Sequence, residues 1–321
     1  MRKVSFLVTA MLAVAGLWLV SKNYKISGLD AIRFERLGSS STGDGAPPPV
    51  ARSSDTIRIA TFNIQVFGRS KLDKPNVMDV LARIARQFDV LAIQEVRSED
   101  QDIIPQYVEL INAAGRQYDY VIGPRQGRST SKEQYAFVFD RASIEIDRNQ
   151  LYTVDDPDDL LHREPLVGWF RVRGPPADQA FTFSLVNIHT DPDETEAELN
   201  ALDDVFRAVR ADGRNEDDVI VLGDLNADDR HLGQLGEMSG IAWVVSGIPT
   251  NTRGTNQYDN IVFDRNATRE YVGRGGVFDF MREYNLTQDE ALDISDHLPV
   301  WGEFSVYEGG AIGRVAARPG G

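Results

Sequence analysis

Apolar and polar positions along the chain follow two periods that replace one another several times. Residues 56–66 alternate between apolar and polar and are rich in β-branched side chains, which predicts a strand. Apolar residues then recur at helical spacing over 77–88, and a second, longer helix is predicted over 195–210. The other predicted strands are 90–93, 118–122, 135–139, 167–173, 181–188, 219–222, 258–263 and 298–304.

Many strands with few helices predict an α/β domain in which sheets pack face to face under a cover of helices. This domain is expected to span residues 55–307. Residues 22–54 are rich in Gly, Ser and Pro and predict a disordered linker. The Gly-rich segment 308–321 predicts a disordered tail.

Residues 1–21 have the pattern of a targeting segment. Met1, Arg2 and Lys3 precede an apolar run over residues 4–20, as in a signal peptide or a short signal-anchor. A small-residue cleavage pattern occurs only inside the run, which favours the uncleaved anchor, and the cleaved signal stays open. The chain is therefore expected outside the cytoplasm, either membrane-anchored or secreted.

Composition excludes several classes of protein. Hydrophobic residues are 42% and charged residues 26% of the chain, which excludes a disordered or fibrous protein. The absence of cysteine excludes disulfides, thiolate metal sites and a cysteine nucleophile. The net charge is −15, and the residues after the first 50 hold 28 Lys or Arg against 46 Asp or Glu, a net of −18. This balance argues against unspecific coating of nucleic acid.

Polar residues stand where predicted strands end. Asn63 lies within the first strand, Glu95 closes the second, and Asp224 and Asn226 follow strand 219–222. A buried carboxylate is costly unless it is paired or binds a metal, and oxygen ligands suit Mg²⁺, Ca²⁺ or Mn²⁺. Each residue taken alone also fits a cap or a turn, so the metal site and the structural role are both open at this point.

Two of the four histidines lie at strand ends. His189 follows strand 181–188 and His297 precedes strand 298–304. An imidazole that moves protons needs an acidic neighbour, and Glu133 and Asp259 at strand starts are the candidates, although spacing does not fix the pairing. The other two histidines, expected at the surface because polar residues surround them, are His162 and His231.

A series of motifs then occurs in a characteristic order: TFNIQVFG, IQEVRS, KEQYAFVFD, REP, NIHTDPDETEAELNALDDV, VLGDLNAD, YDNIVF, FDF and ISDHLPV. From about residue 56 to 303 the chain resembles pancreatic-type deoxyribonuclease I of the endonuclease/exonuclease/phosphatase superfamily. The Asn, Glu, Gly-Asp-x-Asn and Ser-Asp-His motifs are shared with phosphatases and lipases of this superfamily. KEQY, REP and the His189 segment favour the deoxyribonuclease branch.

The resemblance implies a four-layer α/β sandwich of two packed mixed β-sheets flanked by helices, with the active site at one edge. It implies that Glu95 is the principal metal ligand, with Asn63 and Asp296 beside it. Asp224 and Asn226 would orient the scissile phosphate, the nucleophile or a second ion. The implied cofactor is Mg²⁺, with Mn²⁺ and Ca²⁺ as alternatives.

The resemblance also implies two acid–base pairs, His189 with Glu133 and His297 with Asp259. One histidine would take a proton from water attacking phosphorus, and the other would protonate the leaving 3′ oxygen to give 5′-phosphate ends. Which histidine does which stays open. The implied substrate is DNA, with phosphates contacted by the two arginines Arg97 and Arg163.

The chain departs from the family at several positions. Ser131 replaces a groove-contacting tyrosine, and Asp229 and Asn256 replace a cystine. Ile248 stands where the calcium-binding segment would have an acid, so a structural Ca²⁺ is not implied there.

Two other functions remain as alternatives. One is a phosphomonoesterase or phospholipase of the same superfamily, resembling a sphingomyelinase, which the membrane anchor would suit. The other is a non-catalytic binding module, which would have lost some of the ligands or His–acid pairs, and none is missing. The sequence indicates no protein partner.

Overall fold

The computed structural model describes residues 55–128 and 132–310. The strands of this part are β1 (Thr56–Phe67), β2 (Val90–Val96), β3 (Tyr118–Ile122), β4 (Gln134–Asp140), β5 (Ile144–Ile146), β6 (Tyr152–Thr153), β7 (Leu166–Val172), β8 (Thr182–His189), β9 (Val219–Asp224), β10 (Ile241–Trp243), β11 (Asp259–Asp264), β12 (Tyr271–Val277) and β13 (Val300–Ser305). The helices are α1 (Arg69–Leu72), α2 (Pro75–Ala85), α3 (Ile103–Asn112), α4 (Thr195–Arg210), α5 (Gly233–Glu237), α6 (Phe280–Glu283) and α7 (Gln288–Ile294).

The strands form two mixed sheets. The first has six strands in the order β12-β13-β1-β2-β4-β3, and the second has the order β10-β11-β9-β8-β7-β5, with β6 paired to β7. In both sheets a parallel pair lies among antiparallel neighbours: β1 with β2, and β8 with β9. The predicted α/β class with two packed mixed sheets and flanking helices is confirmed.

Alternation along β1 shows how the layers form. Ile57 and Ile59 point into the core between the two sheets, where they join Phe170, Phe183 and other aromatic side chains. Phe62 lies in a different core, beneath α2 and α3. Helix α4 covers the outer face of the second sheet with a third apolar cluster. Because both faces of each sheet are covered, the central strands are apolar on both sides.

Strand register brings reactive residues to one edge. His189 pairs with Asp224 between the parallel strands β8 and β9, and Asp224 pairs with Asp259 between β9 and β11. Neighbouring strands are about 4.8 Å apart, so the three side chains form a row. Gly223 permits this approach, because a Cβ there would lie 1.8 Å from the carbonyl oxygen of Ile188.

The chain remains fixed beyond the predicted end of the domain. The backbone N–H of Glu308 donates to Gln179, and the Glu308 carboxylate accepts from the N–H of Thr182 at 3.2 Å. The predicted targeting segment and linker, and residues 311–321, lie outside the described residues. Within residues 55–128 and 132–310, none of the helices has the length and apolar character needed to span a membrane.

Candidate active site

His189 lies between two carboxylates. Its Nδ1 is 2.8 Å from Oε1 of Glu133, the residue that precedes β4. Its Nε2 is 3.5 Å from Oδ2 of Asp224, at the end of β9. The backbone N–H of His189 donates to the hydroxyl of Tyr135 at 2.9 Å, which fixes the strand end that carries the ring. The structure therefore brings together the predicted His189–Glu133 pair.

His297 repeats the arrangement on the other side of Asp224. Its Nδ1 is 2.9 Å from Oδ2 of Asp259, and its Nε2 is 3.5 Å from the same Asp224 oxygen that His189 approaches. The hydroxyl of Thr250 donates to Asp259 at 2.7 Å and so orients that carboxylate. The second predicted pair is also present, and the two imidazoles share one central carboxylate.

Asp224 is buried and held from several sides. Asn63 Nδ2 donates to its Oδ2 at 2.9 Å, and the N–H of Asn226 donates to its Oδ1 at 3.0 Å. Burial opposes ionisation of Asp224, but the charges of His297 and His189, together with these hydrogen bonds, outweigh it and hold its pKa below the usual range.

Both imidazoles favour the protonated form. Burial disfavours the charge on His297, but Asp259 and Asp224 raise its pKa to about 10. Burial also opposes the charge on His189, and Glu133 and Asp224 raise its pKa above the ordinary value. Two imidazoles whose pKa values are raised, on either side of one carboxylate, can attract an anion and supply protons to it.

Glu95 has an unusual backbone. Its φ is 61°, in the left-handed region, and the register of β2 shifts on both sides of it. Such a conformation in a non-glycine residue costs roughly 1–3 kcal/mol and is found mainly at functional sites. The bend directs the carboxylate to Asn63 Nδ2 at 3.1 Å and to the N–H of Val66 at 2.7 Å.

Asp296 lies next to His297, and its side chain is 44% exposed. The buried ammonium of Lys71 donates to the carbonyl of Ile294 at 2.5 Å and lies in the field of both Asp296 and Glu95. Burial lowers the pKa of Lys71 to about 8 in spite of these two carboxylates.

Asn63 donates from Nδ2 to both Glu95 and Asp224, so it orients both carboxylates. Its role as a metal ligand stays a prediction.

Arg97 and Arg163 converge on Glu133. Arg97 Nε is 3.5 Å from one Glu133 oxygen and Arg163 Nε is 3.4 Å from the other. Burial opposes ionisation of Glu133, but His189 and the two arginines hold its pKa below the usual range. The Arg97 side chain is 26% exposed and that of Arg163 only 6%, so Arg97 is the more accessible to a substrate.

A cleft of about 570 Å³ is lined by several of the predicted site residues: Glu95, Arg97, Arg163, His189, Asp224, Asn226 and His297. Acidic residues of the segment after β8 form one wall, including Asp191 and Glu194. His162 also lines the cleft, with a side chain 13% exposed and Nδ1 3.5 Å from Asp191. His162 was expected at the surface, and the structure places it half-buried in the cleft beside Asp191. The same expectation was right for His231, which is 75% exposed.

Some residues that support the site were not singled out as such from the sequence. Ser295 donates to the carbonyl of Asn63 at 2.6 Å and accepts from the N–H of His297 at 3.0 Å, which connects two site segments. Tyr135 and Thr250 orient His189 and Asp259. Ser295 and Tyr135 lie inside quoted motifs, whereas Lys71 gives no signal in the sequence.

Comparison with known proteins settles the family. The model of the Endonuclease/Exonuclease/phosphatase family matches residues 60–297. The chain belongs to this family. It is 33% identical to deoxyribonuclease gamma of Rattus norvegicus over 262 residues, covering 76% of this chain and 83% of the relative. It is 36% identical to deoxyribonuclease-1-like 1 of Cricetulus griseus over 268 residues, covering 80% and 86%. The resemblance stated from the motifs is thereby confirmed.

Solved structures share the fold. A family member from Bacteroides thetaiotaomicron gives a TM-score of 0.53 at 17% identity, over 78% of this chain and 95% of that chain. The human Nocturnin catalytic domain gives 0.52 at 16%, over 78% and 94%. The endonuclease/exonuclease/phosphatase family assignment makes the chain a hydrolase that acts on phosphoester bonds.

Proposed function

We propose that this chain is a divalent-metal-dependent endonuclease that cleaves DNA by water attack on phosphorus and leaves 5′-phosphate ends. The observation that carries the proposal is the pair of imidazoles whose Nε2 atoms both lie 3.5 Å from one oxygen of Asp224. Each ring has its own carboxylate on Nδ1. The named relatives, two kinds of deoxyribonuclease, support DNA as the substrate.

The two histidines divide the proton transfers. The ring that acts as the base must be in its neutral form, in which its Nε2 atom takes a proton from the attacking water, and Nε2 of the other, protonated ring gives a proton to the leaving 3′ oxygen. Glu133 and Asp259 fix the ring orientations and stabilise the imidazolium that each step requires. Proton transfer of this kind contributes about 10²–10⁴ in rate for each group. Asp224 and Asn226 orient the phosphate or the water between the rings.

The donor set fits a hard cation. Glu95 offers carboxylate oxygens to the cleft and is held in place by Asn63, and Asp296 offers a second carboxylate next to the cleft residue His297. Ligand atoms of Asp224, Asp259 and His297 also lie within 4.8 Å of one another. We assign the first group to Mg²⁺, with Mn²⁺ and Ca²⁺ as alternatives. Such an ion supplies positive charge to the non-bridging phosphate oxygens when it is bound.

Arg97 and Arg163 are assigned to the DNA phosphates. A guanidinium binds a phosphate through two parallel N–H donors. Arg163 also donates to the carbonyl of His189 at 3.0 Å, so it positions the histidine as well. The chain has a net charge of −15, a composition that does not favour a broad basic face. Contact with DNA phosphates through a few arginines is consistent with this charge.

The location proposed for the enzyme is extracytoplasmic, through residues 1–21 as an anchor or a cleaved signal. The support is the sequence pattern alone: a charged start and an apolar run. An alkaline phosphatase fusion after residue 54 tests it, since that reporter is active only outside the cytoplasm. An inactive but stably expressed fusion would overturn the assignment.

The nuclease assignment is tested by incubating the full chain with supercoiled plasmid in Mg²⁺ and in EDTA. Nicking is expected only with Mg²⁺, to be abolished in His297→Ala and kept in the matched control His231→Ala. The nicks should be sealed by DNA ligase without prior phosphorylation, since they carry 5′-phosphates. Absence of nicking with Mg²⁺, Mn²⁺ and Ca²⁺ would overturn the proposal.

A further inference from the structure

A long loop, residues 244–258, joins β10 to β11 and leads directly into Asp259. Its first residues stay paired with β11. The N–H of Val245 donates to the side-chain oxygen of Asn260 at 3.1 Å, and Asn260 Nδ2 donates back to the carbonyl of Val245 at 2.8 Å. Residues 246–249 belong to no strand, and 246–248 are exposed, so this part of the loop depends on other contacts for its position.

The second half of the loop contacts the active site. The hydroxyl of Thr250 accepts from the N–H of Asp259 at 3.1 Å and donates to the carboxylate of the same residue at 2.7 Å. The carbonyl of Thr250 accepts from the N–H of Leu298 at 2.6 Å. Asn251 forms an antiparallel bridge with His297. The position of the loop therefore sets the position of the Asp259 carboxylate and of the segment that carries His297.

Asp229 holds the exposed part of this loop. It lies five residues after Asp224 and is 9% exposed. Its Oδ2 accepts from the hydroxyl of Ser246 at 2.7 Å, and its Oδ1 accepts from the N–H of Gly247 at 3.0 Å. Gly247 has a φ of 63°, a conformation that glycine adopts without strain. Both oxygens of one carboxylate thus bind two successive residues of the loop.

Gln257 holds the same turn from the other side. Its Oε1 accepts from the N–H of Gly247 at 3.1 Å, and its Nε2 donates to the carbonyl of Val245 at 3.1 Å. Gln257 is two residues before Asp259. Hydrogen bonds therefore join the segment after β9 to loop 244–258, in a chain that has no cysteine.

We propose that Asp229 is a positioning residue for phosphodiester cleavage: by holding Ser246 and Gly247 it fixes loop 244–258, and with it the Asp259 carboxylate that orients His297. This inference rests on the proposed function, which assigns a proton transfer to His297. Asp229 is not among the residues that line the catalytic cleft, so its effect reaches the reaction through the loop.

The kinetic test uses Asp229→Ala in the full chain, with nicking of supercoiled plasmid at saturating Mg²⁺. A hydrogen bond to a charged acceptor is worth roughly 10- to 100-fold in an equilibrium constant. Because Gln257 still holds the loop, we expect kcat to fall by about 10-fold, at the lower end of this range, with KM nearly unchanged.

Two further variants show whether the hydrogen bonds of Asp229 are responsible. Asp229→Asn should restore most of kcat, since the amide oxygen can accept from Gly247 and the amide nitrogen can donate to the Ser246 hydroxyl. The matched control is Asp228→Asn. The Asp228 carboxylate accepts from the N–H of Arg230 at 2.9 Å, within its own turn, so this variant should keep the wild-type kcat.

A spectroscopic readout reports on the position of His297 without any activity. The Nδ1–H groups of His297 and His189 are hydrogen-bonded to carboxylates at 2.9 and 2.8 Å, so each should give a downfield proton resonance in the full chain labelled with ¹⁵N-histidine. His297→Ala assigns the first of them. In Asp229→Ala the His297 resonance should shift or broaden, and the His189 resonance should stay unchanged.

Ser246→Ala, at an exposed residue, decides the outcome where Asp229→Ala does not fold. It removes one of the two hydrogen bonds, so kcat should fall by about threefold and the His297 resonance should shift or broaden. Wild-type kcat or an unchanged His297 resonance in the folded variant would overturn the proposal. A chain that shows the change in resonance but never nicks DNA would support the positioning by Asp229 and overturn the nuclease assignment, so the two failures are distinguishable.

Discussion

The Glu133→Gln substitution tests how the buried charges around His189 support catalysis. Glu133 is 1% exposed, and its carboxylate is 2.8 Å from His189 Nδ1 and about equally close to Arg97 and Arg163, at 3.5 and 3.4 Å. Glutamine keeps the shape and can still accept from Nδ1–H. It removes the negative charge that stabilises the imidazolium.

The expected loss of kcat in Glu133→Gln follows from this geometry. Without the carboxylate the pKa of His189 falls, and the ring loses the charge that favours its protonated state. We expect kcat for plasmid nicking to fall by about 10²–10⁴, the range for loss of one acid–base group. The two arginines lose an internal partner and stay available for phosphates, so KM should be unchanged or lower.

The assay is steady-state nicking of supercoiled plasmid by the full chain at saturating Mg²⁺, with kcat and KM determined separately across pH. Glu99→Gln, at an exposed glutamate two residues after Arg97, is the matched control and should keep wild-type kcat. Far-UV circular dichroism and Tm establish that Glu133→Gln is folded. A folded variant with kcat within threefold of the wild type, or a defect confined to KM, would refute the reasoning.

Other substitutions separate the remaining roles. Arg97→Ala should raise KM with little change in kcat and reduce the slope of log K against log salt by about 1, as measured by DNA binding between low and moderate salt. Asp259→Asn should lower kcat by about 10²–10⁴, and adding it to His297→Ala should cost little more, as a double-mutant cycle in the nicking assay would show. Burial raises the pKa of Glu198 to about 7 from 4.5, so its carboxyl contributes stability below about pH 4.5 that is lost as the pH rises through about 7. The free energy of unfolding of Glu198→Gln should therefore rise by up to about 2.5 kcal/mol relative to that of the wild type between pH 5 and pH 8, as measured by urea unfolding at both values; an equal difference at both pH values would contradict the assignment.

The central strands and helix α4 could be predicted because burial imposes a clear period on their sequences. Helix α4 has the predicted bounds, 195–210. Strand β12, Tyr271–Val277, was not predicted: it contains three glycines and is mostly exposed at the sheet edge, so apolar alternation is absent. Short strands such as β5 and β10 have three residues each, which is too few for an alternation of apolar and polar residues to be recognised.

The chemistry of the site could be predicted from residue types, but its pairing could not be derived from spacing. Glu133 and His189 are 56 residues apart, and they meet only because their two sheets pack face to face. The family resemblance supplied that information. Glu95 shows a second limit, because nothing in the sequence around it indicates a left-handed φ of 61°. This conformation accompanies the register shifts in the pairing of β2 with β1 and with β4.

The two ends of the sandwich differ in how their carboxylates are compensated. At the active site Glu133 and Asp224 lie beside imidazoles, guanidinium groups or amide donors, and their pKa values are lowered. At the opposite end Asp218 and Glu270 lie beside other acids, and their pKa values are raised. Glu133 and Asp224 therefore favour the charged form, whereas Asp218 and Glu270, which have no cationic group beside them among the described residues, relieve the repulsion by binding protons.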